Sequence, residues 1–247
     1  MSTSASSISK MAAVCIVLGL TACERKAGEQ NARIDAIELG EAKKVRFPVV
    51  RTGDAKTSDK INQDLKVRIF GDESANLTTD SALKRWVSDF SGEVDFEVTY
   101  LEKGIASLNL NKCGCGSFCT CETSYFTYNT NTGEHLGVGQ IVDTVGEFRS
   151  RVLADRKSLY RKGRMAFMQQ LKDNESGATT DDVEWAKREY DVCAGSEDMA
   201  SLALYADSLV IADRCQFPNA IRFAQPGFSL KYRYAEIRQH LRLPSLR

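Results

Sequence analysis

The chain is poor in histidine and proline, with two and four in 247 residues, and it has no excess of either charge, 33 basic residues meeting 33 acidic ones. Proteins that grip nucleic acid normally show a basic surplus, so the balance sets that class aside and no nucleic-acid partner is expected. Two imidazoles, His135 and His240, are too few for a three-histidine zinc centre. No G-x-S-x-G elbow, H-E-x-x-H pair or phosphate-cradling glycine loop occurs. Gly137 and Gly139 lack the third glycine of a dinucleotide fingerprint. These absences point to a non-catalytic protein without a cofactor, in which each histidine packs or lies at the surface and Asp181-Asp182 complement a helix dipole. No apolar run approaches the roughly 20 residues of a membrane-spanning helix. Disorder is also set aside, because hydrophobic residues make up an ordinary 43%.

What is present first is an address. Lys10 precedes an apolar run, Met11 to Leu20, of signal-peptide length. Leu20-Thr21-Ala22-Cys23 then resembles a bacterial lipobox, which makes residues 1–22 a lipoprotein signal peptide and Cys23 a lipidated N-terminus. Several acyl chains on one residue satisfy the two-signal requirement for stable anchoring. Glu24 after that cysteine resembles the sorting signal of Gram-negative lipoproteins, and the resemblance implies the outer membrane, facing the periplasm. Cleavage removes one lysine and no acid, so the mature chain carries a formal charge of −1. Residues 23–44 read as the lipid site and a tether, with Glu24 to Arg33 polar and charged.

Residues 45–247 read as one α+β domain, a mainly antiparallel sheet packed with helices and braced by disulfides. Val45 to Arg51 is a strand near an edge, given Pro48. A helix capped by Thr57 or Ser58 carries the stripe Ile61, Leu65, Ile69, and a second from Thr79 carries Ala82, Leu83, Trp86, Val87 and Phe90. Val94 to Tyr100 alternates as a half-buried strand. Ile105 to Leu110 leads into a cysteine cluster and Thr123 to Asn129 leaves it, before a turn at Asn131-Thr132-Gly133 and the segment His135 to Val142. A helical stretch runs from Val145 to Asp173 with a break marked at Gly163. A loop over Asn174 to Thr179 and a helix from Asp181 to Tyr190 follow. Leu202 to Ile211 and Phe228 to Tyr232 close the sheet, and a short helix covers Ala235 to Leu241. Trp86 and Trp185 read as core residues.

Six cysteines remain beyond Cys15 and Cys23, an even number that suits disulfides in an oxidising compartment. Cys113, Cys115, Cys119 and Cys121 are symmetric about Ser117. A hairpin with Gly116-Ser117-Phe118 as its loop sets Cys113 opposite Cys121 and Cys115 opposite Cys119 on one face. Cys193 and Cys215 are then left for the third bridge, in one of the fifteen pairings open to six cysteines. The competing reading is a copper or zinc carrier, in which the clustered cysteines act as thiolate ligands; C-x-C spacing suits one tetrahedral zinc poorly and a soft Cu(I) better. The loop at Gly116, Ser117 and Phe118 is the expected partner-binding element, with Phe118 its anchor. Among Tyr125, Phe126 and Tyr128 at least one ring faces the core, and another is free for a partner or a sugar.

The run Ile61-Asn62-Gln63-Asp64-Leu65, the Phe96–Tyr100 strand and Tyr125-Phe126-Thr127-Tyr128-Asn129-Thr130-Asn131-Thr132-Gly133 resemble the extracytoplasmic domain of RsiV-type anti-sigma factors and of the peptidoglycan deacetylase PdaC. Ser208 to Ile211, Pro218-Asn219-Ala220 and Tyr234 to Ile237 with Leu241 extend the likeness over about residues 45 to 243. Asn129 stands where the family has Asp, and the cysteine cluster replaces its usual Gly-Gly-Ala-His segment. The resemblance implies a non-catalytic envelope module whose counterpart in the anti-sigma factor binds lysozyme. Composition and resemblance together lead to a lipid-anchored periplasmic protein that recognises a cell-wall hydrolase or another envelope protein, as an inhibitor or immunity factor. A peptidoglycan- or glycan-binding module is the second reading.

Overall fold

In a computed structural model, described for residues 32–40, 45–115, 119–172, 179–213 and 215–247, the chain is an α+β assembly of antiparallel sheets and helices. The strands β1 (Arg33–Glu38) and β2 (Arg46–Arg51) pair antiparallel, with Ile34 opposite Val50 and Ile37 opposite Phe47. Part of the segment read as tether is thus a strand. Ile34, Ile37 and Leu39 pack against the core, and that apolar spacing inside a charged segment is what the reading by composition passed over.

Helix α1 (Ala55–Phe70) starts earlier than read from Thr57 or Ser58. Asp54 is the cap, its Oδ2 accepting from the Thr57 N–H at 2.8 Å and the Thr57 hydroxyl at 2.7 Å. Ile61 and Leu65 are fully buried and Ile69 nearly so, each worth about 1.5–3 kcal/mol of burial. A one-turn 3-10 segment (Asp72–Ser74) and α2 (Thr79–Phe90, capped by Thr78) follow. Buried Lys66 donates to the carbonyls of Ala75 and Leu77, which fastens the connection.

The three strands β3 (Glu93–Glu102), β4 (Ile105–Cys115) and β5 (Cys119–Asn129) form the second sheet in the order β3-β4-β5. Leu108 and Leu110 of β4, with Phe126 and Tyr128 of β5, face α1 and α2 and form one core cluster with β1 and β2. Tyr128 is fully buried and Phe126 is 7% exposed, while Tyr125 points to the other face and is half-buried. Beyond the turn, His135 makes only a single bridge to Tyr128, and Val138–Ile141 is a one-turn helix, α3.

Helix α4 (Glu147–Lys172) runs through Gly163 without the break expected there. Gly163 answers to packing instead, since a Cβ on it would lie 2.9 Å from Pro226 and 3.3 Å from Tyr190. The loop read over Asn174 to Thr179 lies, except for Thr179, outside the described residues. Thr179 and Asp182 cap α5 (Thr180–Ala194) reciprocally. The segment read as one strand from Leu202 to Ile211 is two, β6 (Leu202–Leu204) and β7 (Ser208–Ile211), which join β8 (Leu230–Arg233) in a third sheet. Tyr205 to Asp207 turn the chain, with the Tyr205 N–H donating to Ser208 O at 2.8 Å. A 3-10 segment (Asn219–Ala224) lies between β7 and β8, and α6 (Tyr234–Ile237) with 3-10 turns at Arg238–His240 and Pro244–Leu246 ends the chain.

The first half of α4 buries Phe148 and Val152 against the third sheet, and its second half buries Tyr160 and Phe167 against α5 and the 219–224 segment. Arg156 lies between those clusters, 1% exposed, its guanidinium donating to the carbonyls of Ser196 and Asp198. Among the described residues no helix is long and apolar enough to cross a membrane.

Candidate functional site

The β4–β5 hairpin changes character along its length. From Ile105 to Leu110 every residue of β4 is buried, whereas from Asn111 onward, and over Cys119 to Thr123 of β5, the pair is half-buried or exposed. An exposed two-stranded ribbon is marginal in water, and two disulfides hold this one. Cys113 is bonded to Cys121 and Cys115 to Cys119, each with a Cα–Cα distance of 4.0 Å. The register sets each pair directly opposite, at the close approach of pairs that share no ladder hydrogen bond. Bonded in this way, the four sulfurs are disulfide sulfurs and not thiolates. No group of three or more His, Cys, Asp or Glu able to hold a metal occurs among the described residues.

The third bridge joins Cys193 at the end of α5 to Cys215, with Cα atoms 5.6 Å apart. Cys193 is fully buried. Gly116, Ser117 and Phe118, expected at the partner-binding loop, and the lipid site Cys23 lie outside the described residues.

Helix α2 supports the ribbon from the face opposite the sulfurs. The Trp86 indole lies against two glycines: a Cβ on Gly114 would fall 2.9 Å from its ring, and one on Gly92 would fall 2.1 Å from Nε1. Phe90, 43% exposed, stacks on Trp86 with ring centroids 4.5 Å apart. Lys112 Nζ sits 4.7 Å above the indole and donates to Ile69 O at 2.9 Å. Trp86, Phe90, Phe70 and Lys112 border a cavity of about 400 Å³ with Arg85 and Glu73 at its rim. Sequence spacing marks Trp86 as core; it is half-buried, and the signal for its second role is the pair of glycines that leave it room.

The sulfur-bearing face continues downward as a polar ladder. Thr123 donates to Asn111 Oδ1 at 2.5 Å, Asn109 to Glu97 at 3.0 Å, and Ser107 meets Thr99 and Thr127, each at 3.2 Å. The Leu204 N–H donates to Ser107 Oγ at 3.0 Å, which ties the third sheet across this face.

At the hairpin's base, the residues that carry the family resemblance meet. Tyr128 donates to Asp64 Oδ2 at 2.7 Å and Arg68 Nε donates to the same oxygen at 2.6 Å. Partial burial works to raise the Asp64 carboxyl, but the Arg68 and Tyr128 hydrogen bonds outweigh it and hold the group below its ordinary value. Burial, then the bond to Asp64, pushes the Tyr128 hydroxyl far up. His135 stacks edge-on to Tyr128 at 5.4 Å, and burial followed by the Arg68 charge holds its imidazole below the usual value. Asn129, where the family has Asp, still builds the turn, its Oδ1 accepting from the N–H groups of Asn131 at 2.9 Å and Thr132 at 3.2 Å. Asp64 thus ties α1 to β5 through Tyr128. His240 stacks on Phe148 at 5.7 Å, and Trp185 donates to Glu189 at 3.2 Å beside the α4–α5 core.

No family model and no curated protein matches the sequence. Solved structures do match in shape. A DUF3298 family member from Bacteroides fragilis superposes with a TM-score of 0.54 at 12% identity, covering 86% of this chain and 94% of its own. The chain has the fold of DUF3298 proteins. A second DUF3298 protein, from Pseudomonas aeruginosa, gives a TM-score of 0.53 at 12% identity, covering 89% of this chain and 97% of its own. DUF3298 is the domain family of the RsiV-like and PdaC extracytoplasmic parts. At this identity the DUF3298 likeness speaks for the fold alone.

Proposed function

We propose that this chain is a lipid-anchored, periplasm-facing binding protein of the outer membrane that recognises an envelope protein, a cell-wall hydrolase in the leading case, through the end of its β4–β5 hairpin. The observation that carries the reading is the pair of adjacent disulfides at the exposed end of that hairpin. A loop closed by two cross-strand bonds loses little conformational freedom on binding, so more of its contact energy appears as affinity. The lipobox ending at Cys23 supports export and anchoring, and the DUF3298 fold is compatible with an extracytoplasmic role. Binding serves inhibition or immunity, and the protein performs no chemistry on its partner. In cells of the source organism, alanine at Phe118 is expected to abolish co-purification of the partner while secretion and folding are retained; unchanged co-purification contradicts the reading.

Glycan binding is favoured by one separate feature, the Trp86–Phe90 cavity with charges of both signs at its rim. Pull-down with purified sacculi, compared between the native chain and Phe90→Ala, tests it: retention that drops in the variant favours glycan, and equal retention removes this reading.

A further inference from the structure

The outer edge of β5 carries backbone groups that the fold uses at one end and leaves open at the other. In the β4–β5 register the cysteine pairs approach to 4.0 Å and share no ladder bond. The N–H and C=O groups of Cys119, Cys121, Thr123 and Tyr125 therefore point away from β4, toward the free edge. The same parity holds further along, where the chain fills that edge itself: the Leu136 N–H donates to Thr127 O at 2.7 Å and the Asn129 N–H to Glu134 O at 2.9 Å. From Cys119 to Tyr125 no backbone partner stands on this edge among the described residues.

We infer that this open edge of β5 is a docking site for an extended peptide segment of another protein, which adds to the sheet as a further antiparallel or parallel strand. Three observations support that occupant. Residues 134–136 pair with this edge at Thr127 and Asn129, so its backbone groups do accept an extended segment where one is supplied, and Cys119 to Thr123 are exposed. The two disulfides hold β5 in register with β4, so the template does not fray when a partner arrives. The edge also lacks two of the usual guards: its run of Cys119, Thr120, Cys121, Glu122, Thr123, Ser124 and Tyr125 has neither Pro nor Lys, Glu122 being its one charge. Beside it lies a cavity of about 390 Å³, with Ser201, Asp213, Gln216 and Arg222 on the far wall. The Arg222 Nε is buried there with no hydrogen-bond partner among the described residues. Main-chain bonds supply affinity in this mode, and such a pocket receives alternate side chains of the added strand.

This inference rests on the binding role proposed above but uses a different part of the hairpin, so the two fail separately: Phe118→Ala reads the loop, and position 123 reads the edge. The probe is a displayed library of random linear peptides selected on the oxidised full-length exported chain. Thr123→Pro removes an outward N–H and no β4–β5 ladder bond, and Thr123→Val keeps the N–H at nearly the same shape. Selected peptides are expected to lose at least tenfold in affinity on Thr123→Pro and to bind Thr123→Val as they bind the native chain. Binding is further expected to slow amide exchange at Cys121, Thr123 and Tyr125 of the native chain, a readout independent of either variant's folding. The inference is overturned if the library yields no linear binder, if binders leave those amides unprotected, or if both variants bind alike. A concentration-dependent dimer of the native chain that Thr123→Pro abolishes also overturns it, because the edge then pairs with a second copy.

Discussion

The two kinds of disulfide in this chain do different work. Cys193–Cys215 closes a separation of 22 residues with Cys193 fully buried, whereas the ladder closes separations of 8 and 4 at an exposed end. Loop-closure entropy grows with the logarithm of length, giving roughly 3.4 kcal/mol for the long closure and about 2.5 and 2 for the short ones taken singly. The second short closure adds less than its single value, because the first already confines the same residues. The long bridge thus stabilises the helical half of the domain, and the short pair spends two bonds on fixing the shape of a few surface residues. A protein that needed only stability had little reason to place four cysteines there.

The largest expected effect sharpens that contrast. Cys193→Ala with Cys215→Ala should lower unfolding stability by about 2–5 kcal/mol, read as a fall in the denaturant midpoint, because it opens the longest closure beside the Tyr190–Phe217 core. Next comes Gly92→Ala, which sets a methyl against the Trp86 indole and should cost about 1–3 kcal/mol, with Trp86 fluorescence shifting as the ring moves. Cys115→Ser with Cys119→Ser should cost less than about 2 kcal/mol yet weaken partner binding at least tenfold. If instead stability drops as far as for Cys193–Cys215, the division between the two kinds of bridge breaks down.

The smallest effect is electrostatic and belongs to the hairpin's base. Asp64 titrates below its ordinary value in the folded chain, so its contribution is present above that value and is lost as pH falls through the folded one. His135 is also lowered, so the unfolded chain takes up its proton first and stability declines as pH falls below about 6.5. Denaturant unfolding from pH 7 to 3 should show both declines, with Asp64→Asn flattening the acid limb and His135→Gln the limb near neutrality.

The cysteine spacing is where the sequence says most. Symmetry about Ser117 favours the hairpin register in which Cys113 stands opposite Cys121 and Cys115 opposite Cys119, and the structure has that register. The stripe Ile61, Leu65, Ile69 likewise reflects burial directly, which is why α1 is legible; the alternation from Val94 to Tyr100 finds β3, but only its ends are buried, since Val98 is 38% exposed beside an irregularity in the β3–β4 pairing. What stayed hidden depends on contacts distant in the chain. Arg33–Glu38 looks like tether because its charges dominate its composition, and only its pairing with β2 gives Ile34 and Ile37 a core to face. Gly163 looks like a break until Pro226 fills the space beside it. The stretch of β5 edge that has no backbone partner among the described residues is invisible in composition, since it follows from which backbone groups β4 and residues 134–136 already use. Trp86 has core spacing, and its role beneath the ladder depends on Gly92 and Gly114, which no helical period connects to it.

The central claim is that the laddered hairpin end meets a protein partner. Its most direct test is site-specific photo-crosslinking in living cells of the source organism, with the probe placed in turn at Phe118, at Thr120 and at Met165, a side chain 64% exposed on the second half of α4. The account predicts one adduct of defined mass with an envelope protein from the two hairpin positions and none from position 165. No adduct from the hairpin, or the same adduct from all three positions, would contradict it.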